Sequence, residues 1–308
     1  MTVRLLCDLG ATYIRFAISE SGTRRGKTTS YRCDGYRSFF DAVTTYLNSF
    51  DGDMWPTEAS FAVAAPITGD LIELTNRPWQ FSIRELKKTC KIPRLSVIND
   101  FSAIALALPW LDKTDRRKIG TGRPEPKKPL GVIGAGSGLG SSGLIAGPKG
   151  WIPLAGEGGY TDFAPKTEEE LSVFFSLGGP SQHVAVEHVL SGPGLVAIHK
   201  SLWGQSVPCP KNITERAIEG DYSAIRTLDM FSQILGSAAG NLALSIGARG
   251  GVFIAGGIVP KLGSHFNEKA FRKRFESKGS LSPYLKQIPT YLITTENPAL
   301  IGLEHYSL

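Results

Sequence analysis

Residues 130–146 read LGVIGAGSGLGSSGLIA: an apolar strand at Leu130–Ile133, the glycine-rich turn Gly134-Ala135-Gly136-Ser137-Gly138-Leu139-Gly140, and a second strand at Ser142–Ala146. Residues 3–19, VRLLCDLGATYIRFAIS, follow the same plan, with a buried strand at Val3–Cys7, the turn Asp8-Leu9-Gly10-Ala11-Thr12 and an alternating strand at Arg15–Ser19. Two strands that meet at a short glycine turn predict a hairpin, and the recurrence predicts one such hairpin in each of two α/β units. Outward from the first hairpin, Ser38–Phe50 carries Phe39, Phe40, Val43, Tyr46 and Leu47 at helical spacing. Ala59–Ala65 reads as a buried strand stopped by Pro66, Ile83–Cys90 as a short helix, and Leu95–Ile98 as a strand running into an Ala-rich helix opened by Asn99-Asp100 and ended by Pro109. Outward from the second hairpin, Thr167-Glu168-Glu169-Glu170 has the capping-box spacing that starts a helix. Tyr222–Ala248 is the longest helical pattern, and Val252–Ala255 is a strand ending in Gly256-Gly257. Gly236 and Gly240 inside the long helix cost stability unless another backbone packs against them. Gly120–Pro129 reads as a linker or an extended hairpin loop.

A chain of 308 residues suggests roughly two domains at about 150 residues each. With 42% hydrophobic and 20% charged residues it is neither a disordered tail nor a coiled coil. The net charge of +6 suits phosphate-bearing ligands, but it is spread along the chain without a dense Lys/Arg stripe, which argues against nucleic-acid binding. Cys7, Cys33, Cys90 and Cys209 are isolated, which argues against a zinc site and fits a reducing cytosol. No apolar run is long enough for a membrane span, so a soluble, cytoplasmic protein is expected.

Three strand-ending glycine turns carry the first candidate chemistry: Asp8–Thr12, Gly134–Gly140 and Ala255-Gly256-Gly257. Glycine lets backbone N–H groups approach an anion, Thr12 and Ser137 offer hydroxyls to phosphate oxygens, and a strand-end carboxylate such as Asp8 can hold Mg²⁺ directly or through water. Any one of these loops is more often a simple tight turn; three of them point to a nucleotide. Neither the P-loop pattern nor G-x-G-x-x-G before a helix occurs, which disfavours those two folds. The second constellation is acidic. Asp100 stands where a strand ends and a helix begins, so it reads either as a helix cap or as a general base. Glu157 lies between glycines, and Glu187 lies on a mostly apolar turn where a solvated face is the bland alternative. Grouped carboxylates suit a sugar, whose hydroxyls donate to them.

These stretches resemble the bacterial glucokinase family, the ATP-dependent hexokinase group. The likeness is carried in order by Leu6–Ala17, Ala65–Asp70, Leu74–Ser82, Ile98–Ala103, Gly134–Gly140, Gly156–Pro165, Glu187–Leu195 and Gly250–Pro260, with Lys278–Leu303 like the family's C-terminus. The resemblance implies a two-domain actin-like ATPase (sugar kinase) fold of the α/β class with an interdomain cleft. The expected division is a small domain at 1–110, joined by a C-terminal helix at about 299–308, and a large domain at 111–298. It implies that Asp8, Leu9, Gly10, Ala11 and Thr12 form the first phosphate loop, Gly136, Ser137 and Gly138 the second, and Gly256 and Gly257 the adenosine-side turn. Asn99, Asp100, Glu157, Tyr160 and Glu187 become the sugar partners, with Asp100 the base, and Asn76 and the 66–69 loop are supports. The implied cofactors are ATP and Mg²⁺, the latter through Asp8, and the implied assembly is a homodimer with no nucleic-acid or membrane partner.

Four residues depart from the family's pattern. The first loop is usually Gly-Gly-Thr-Asn and here is Gly10-Ala11-Thr12-Tyr13; Ser137 replaces Thr; and Tyr160 stands where the family has a sugar-pocket His. The leading expectation is phosphorylation of glucose to glucose 6-phosphate. Ala11, Tyr13 and Tyr160 keep two rivals open: a kinase for another hexose or an amino sugar, and a sugar-binding sensor with reduced catalysis.

Overall fold

The computed structural model describes residues 2–20, 26–50, 55–74 and 77–306; Asn76 lies outside them. The chain forms two compact units: Met1–Leu111 with Trp151–Ala155 and Thr295–Leu308, and Asp112–Gly150 with Gly156–Thr294.

The first unit is built on the predicted hairpin. β1 (Val3–Leu9) and β2 (Tyr13–Glu20) are antiparallel, with Cys7 opposite Phe16 and Leu9 opposite Ile14. β3 (Thr29–Arg32) pairs with β2; α1 (Phe39–Asn48) follows; β4 (Glu58–Val63) runs parallel to β1. A small hairpin, β5 (Leu71–Glu73) with β6 (Gln80–Ser82), leads into α2 (Ile83–Cys90), then β7 (Arg94–Asn99) and α3 (Asp100–Ala107). The sheet order is β3-β2-β1-β4-β7. Successive strand residues face opposite sides. Leu5, Cys7, Leu9, Phe16 and Phe61 pack on Phe39 and Val43 of α1 and Leu86 of α2, while Leu6, Ala17 and Ala62 pack on Ala103 of α3. Both faces of β1 and β4 are covered, which is why Leu5–Cys7 and Phe61–Val63 at their centres and ends read as unbroken apolar runs. At the start of β4, between β1 and β7, the buried carboxylate of Glu58 takes Arg4 Nε at 2.9 Å and Nη2 at 2.6 Å and is also paired with Arg94.

In the second unit β8 (Arg116–Ile119) is followed by the second predicted hairpin, β9 (Leu130–Ala135) and β10 (Leu139–Gly147); the next strand, β11 (Gly150–Leu154), has all but its first residue in the first unit. Four helices come next: α4 (Glu168–Ser176), α5 (Gly192–Trp203), α6 (Pro210–Ile218) and α7 (Tyr222–Ile246). Then β12 (Gly251–Ala255), α8 (Ile258–Leu262), α9 (Glu268–Glu276), α10 (Ser282–Gln287) and β13 (Thr290–Ile293) complete the unit. The order β10-β9-β12-β13-β8 places β12 and β13 between β9 and β8. Residues 120–129 are therefore neither a linker nor a hairpin loop; they cross two strands of their own sheet. The last helix, α11 (Pro298–Glu304), packs on α3 through Ala299, Leu300 and Leu303.

Local signals hold where side chains decide them. Thr167 Oγ1 accepts from the Glu170 N–H at 3.2 Å and so starts α4. The Glu170 carboxylate turns instead to the Lys166 N–H at 2.7 Å and to Arg274 at 2.9 Å, buried on the helix's inner side. The glycines of α7 have the backbone neighbour they require: a Cβ at Gly236 would collide with the Phe271 carbonyl of α9, and one at Gly240 would sit 2.7 Å from the Phe275 carbonyl. Alanine at position 236 would gain about 1 kcal/mol in helix propensity. It would lose more, because overpacking against main chain stands at the upper end of the usual 1–3 kcal/mol. Gly236→Ala is expected to lower unfolding stability by about 1–2 kcal/mol in chemical denaturation; an unchanged midpoint would show that α9 shifts freely.

Candidate active site

In the first unit, Asp8 sits near the end of β1 opposite Arg15, whose Nη1 donates to Asp8 Oδ2 at 3.0 Å. Burial pushes the Asp8 carboxyl above its ordinary range, and the Arg15 charge pulls part of the way back. The turn beyond it is tightly tied. The Gly10 N–H donates to the Tyr13 carbonyl at 3.0 Å, the Cys33 N–H to the Thr12 carbonyl at 2.9 Å, and Arg77 Nε to the Ala11 carbonyl at 3.4 Å. Among the described residues the N–H groups of Ala11 and Thr12 have no main-chain acceptor, and Thr12 is exposed. Two N–H donors without a main-chain acceptor and an exposed hydroxyl at one turn are the kind of donor set that suits an anion.

At the end of β7 the two candidate roles of Asn99-Asp100 separate. Asn99 is the cap of α3: its Oδ1 accepts from the N–H groups of Phe101 at 2.9 Å and Ser102 at 3.2 Å. Its Nδ2 donates to the Ala65 carbonyl at 3.4 Å, just before the 66–69 loop. Asp100 is the first helical residue, with Oδ1 accepting from the Phe101 N–H at 2.8 Å. The capping function that the sequence left open for Asp100 therefore belongs to its neighbour.

In the second unit the turn between β9 and β10 is closed by the Gly136 N–H donating to the Gly138 carbonyl at 2.8 Å. It is tied to the start of α5 by the Gly192 N–H donating to the Gly136 carbonyl at 2.9 Å. β12 runs parallel beside β9, and Gly134 lies against the main chain of Ala255 and Gly256, where a Cβ would sit 2.5 Å from the Ala255 carbonyl carbon. Gly256 has φ +83°, a conformation that favours glycine. The second phosphate-loop candidate and the Gly256-Gly257 turn are thus adjacent strand ends.

The carboxylates of this unit gather on the same hairpin. Glu187 Oε2 accepts from the Leu139 N–H at 2.7 Å, and a side chain at Gly138 would overlap that carboxylate. The loop 156–160 lies on the start of β10, because Gly158 and Gly159 leave room for Ser141 Oγ and the Leu139 carbonyl. Burial, and then the negative charge of Glu187, push the Glu157 carboxyl above the usual range. Tyr160 is 52% exposed; its N–H donates to the Glu157 carbonyl at 3.0 Å, and its own carbonyl contacts His183 Nε2 at 2.9 Å. His183 Nδ1 meets Asp162 Oδ1 at 3.1 Å, and the Phe163 and Val186 N–H groups zip the two segments together through the Val184 and Thr161 carbonyls. His183, Asp162, Arg15 and Arg77 were not singled out from the sequence. The His183–Asp162 contact spans 21 residues, and no local pattern announces it.

A family model for glucokinase matches residues 5–308. The chain belongs to the glucokinase family. It is 42% identical over 306 residues to the glucokinase of Aromatoleum aromaticum, spanning 97% of this chain and 92% of that one, and 41% identical to that of Chromobacterium violaceum, spanning 97% and 88%. Among solved structures, a glucokinase from an Antarctic psychrotroph superposes with a TM-score of 0.87 at 33% identity, covering 98% of both chains. A glucokinase from Balamuthia mandrillaris in complex with glucose shares the fold, with a TM-score of 0.80 at 18% identity over 99% of this chain and 93% of that one. The fold is that of the actin-like sugar kinases. Among the described residues no group of three His, Cys, Asp or Glu side chains is placed to hold a metal, and no helix is long and apolar enough to cross a membrane.

Proposed function

We propose that this glucokinase-family chain transfers the terminal phosphoryl group of ATP to the 6-hydroxyl of glucose. The observation that carries the reading is the arrangement of the second unit: the β9–β10 turn that carries Gly136, Ser137 and Gly138 also holds Glu187 through the Leu139 N–H, with Glu157 close enough to feel its charge. Nucleotide and sugar contacts built on one hairpin fit a kinase. In the first unit Asp100 acts as general base for the 6-hydroxyl, and Asn99, already spent on capping, orients it. Glu157, Tyr160 and Glu187 bind the other hydroxyls. Asp8 suits the Mg²⁺ that arrives with ATP: Mg²⁺ keeps several waters and needs only one or two carboxylates besides phosphates, and Arg15 occupies Oδ2. That ion supplies neutralisation of phosphate charge; in-line geometry and proton acceptance fall to the chain's own residues. The resemblance also extends to a homodimer and a cytoplasmic location; sedimentation checks the first. A coupled assay of ATP consumption against a panel of hexoses tests the activity, and equal lack of turnover on all of them overturns it.

Tyr160 favours one second reading, a different hexose. A Tyr carries its hydroxyl farther from the backbone than a His carries its ring nitrogens, so it cannot reproduce that contact. One lost hydrogen bond to a sugar hydroxyl is worth about 1–1.5 kcal/mol, roughly tenfold in affinity. Tyr160→His is expected to lower the KM for glucose about tenfold with little gain on other hexoses. If it instead abolishes activity on another sugar that the parent enzyme prefers, the substrate is that sugar.

A further inference from the structure

The first phosphate turn is surrounded by guanidinium groups. Arg15 stands 5.7 Å from the Tyr13 ring centroid and Arg32 6.0 Å from it, while Arg77 Nε donates to the Ala11 carbonyl at 3.4 Å. Two of the three are already paired. Arg15 holds Asp8 at 3.0 Å, and Arg32 holds Asp34 through Nη2 at 2.6 Å and Nε at 3.1 Å. Among the described residues no carboxylate pairs with Arg77. The residue is half-buried, and its charge reaches Cys33 and Asp34 beside the turn. Its guanidinium lies 5.0 Å from the centroid of the buried Trp79 ring, a cation–π contact that holds it beside the turn. With Asp8 cancelling Arg15 and Asp34 cancelling Arg32, the turn keeps one uncompensated positive charge, beside the unspent N–H groups of Ala11 and Thr12.

We propose that Arg77 binds the terminal phosphate of the phosphoryl donor, as a specificity-determining contact for ATP over ADP. The guanidinium is always charged and presents its N–H groups as a planar fork that matches two phosphate oxygens. Nε is spent on Ala11, which fixes the side chain to the turn and leaves the Nη groups for the ligand. The same contact offsets the departures in this loop: Ala11 narrows the backbone approach and Tyr13 removes a compact polar residue, and a guanidinium restores donors and charge. This inference rests on the first turn being a phosphate site.

Dissociation constants of ATP and ADP, measured calorimetrically with the full chain, provide the test. Arg77→Ala is expected to weaken ATP about tenfold or more while ADP changes less than twofold, and Arg77→Lys, which keeps charge without the fork, is expected to fall between. A merely structural role weakens both nucleotides alike, and that result, like no change in either, overturns the proposal. Thr12→Val separates the two layers. If it weakens ATP while Arg77→Ala does not, the arginine assignment alone fails; if it leaves both nucleotides unchanged, the turn is not a phosphate site and the reading beneath the proposal fails with it.

Discussion

Asp100→Asn is expected to lower kcat by about 10²–10⁴-fold while the KM for glucose stays within a few-fold, the range that a positioned general base contributes. The substitution is unusually clean in this chain because Asn99, not Asp100, caps α3. An amide at position 100 keeps an oxygen that can accept from the Phe101 N–H, so the helix start is retained and the thermal midpoint should barely move. What disappears is a group able to take a proton from the 6-hydroxyl as the phosphoryl group arrives. Steady-state kinetics on the best hexose, with the melting curve as control, reads the two effects apart. Turnover within about twofold of the parent would remove Asp100 from the chemistry and leave it a helix-start residue.

The two hairpins were legible in the sequence because period-two alternation and turn glycines are local signals. Their limits were less so: β10 begins at Leu139, not Ser142, since Leu139 pairs with Ala135 across a turn of only three residues. Polar edge strands such as β8, Arg116–Ile119, have no apolar face to betray them. The choice of cap between Asn99 and Asp100 could not be made locally, because either side chain satisfies the same N–H groups. The anchoring of Glu187 was invisible for another reason. Its partner is a main-chain N–H 48 residues away, and the apolar turn around it, Val186 to Leu190, carries the marks of core rather than of a site. Arg77 escaped notice because a lone arginine after an asparagine is an ordinary surface residue until the turn it touches is known.

Glu187→Ala carries the second large expectation, a loss of about 10²–10³-fold in kcat/KM for glucose. Two costs combine. The Leu139 N–H loses its charged acceptor at the root of the β9–β10 turn, and the proposed sugar site loses a carboxylate; hydrogen bonds to charged groups are worth about 1.5–3 kcal/mol each. Glu187→Gln separates them. Its amide oxygen can still accept from Leu139, so the hairpin is kept, and only the charge at the sugar is lost; a drop of about tenfold is expected. The charge has a second consequence. Glu157 is held above the ordinary carboxylate range first by burial and then by Glu187. Ionised Glu157 is the better acceptor for sugar hydroxyls, so in its proposed role glucose affinity in the parent is expected to fall as acid protonates it, at a pH higher than an ordinary glutamate requires. In Glu187→Gln the repulsion is gone and only burial remains. Glu157 then protonates at lower pH, and the acidic limb of a plot of glucose dissociation constant against pH moves down with it. The same limb in the same place would mean that Glu157 is not the group that titrates, and that the coupling between the two carboxylates has no part in binding sugar.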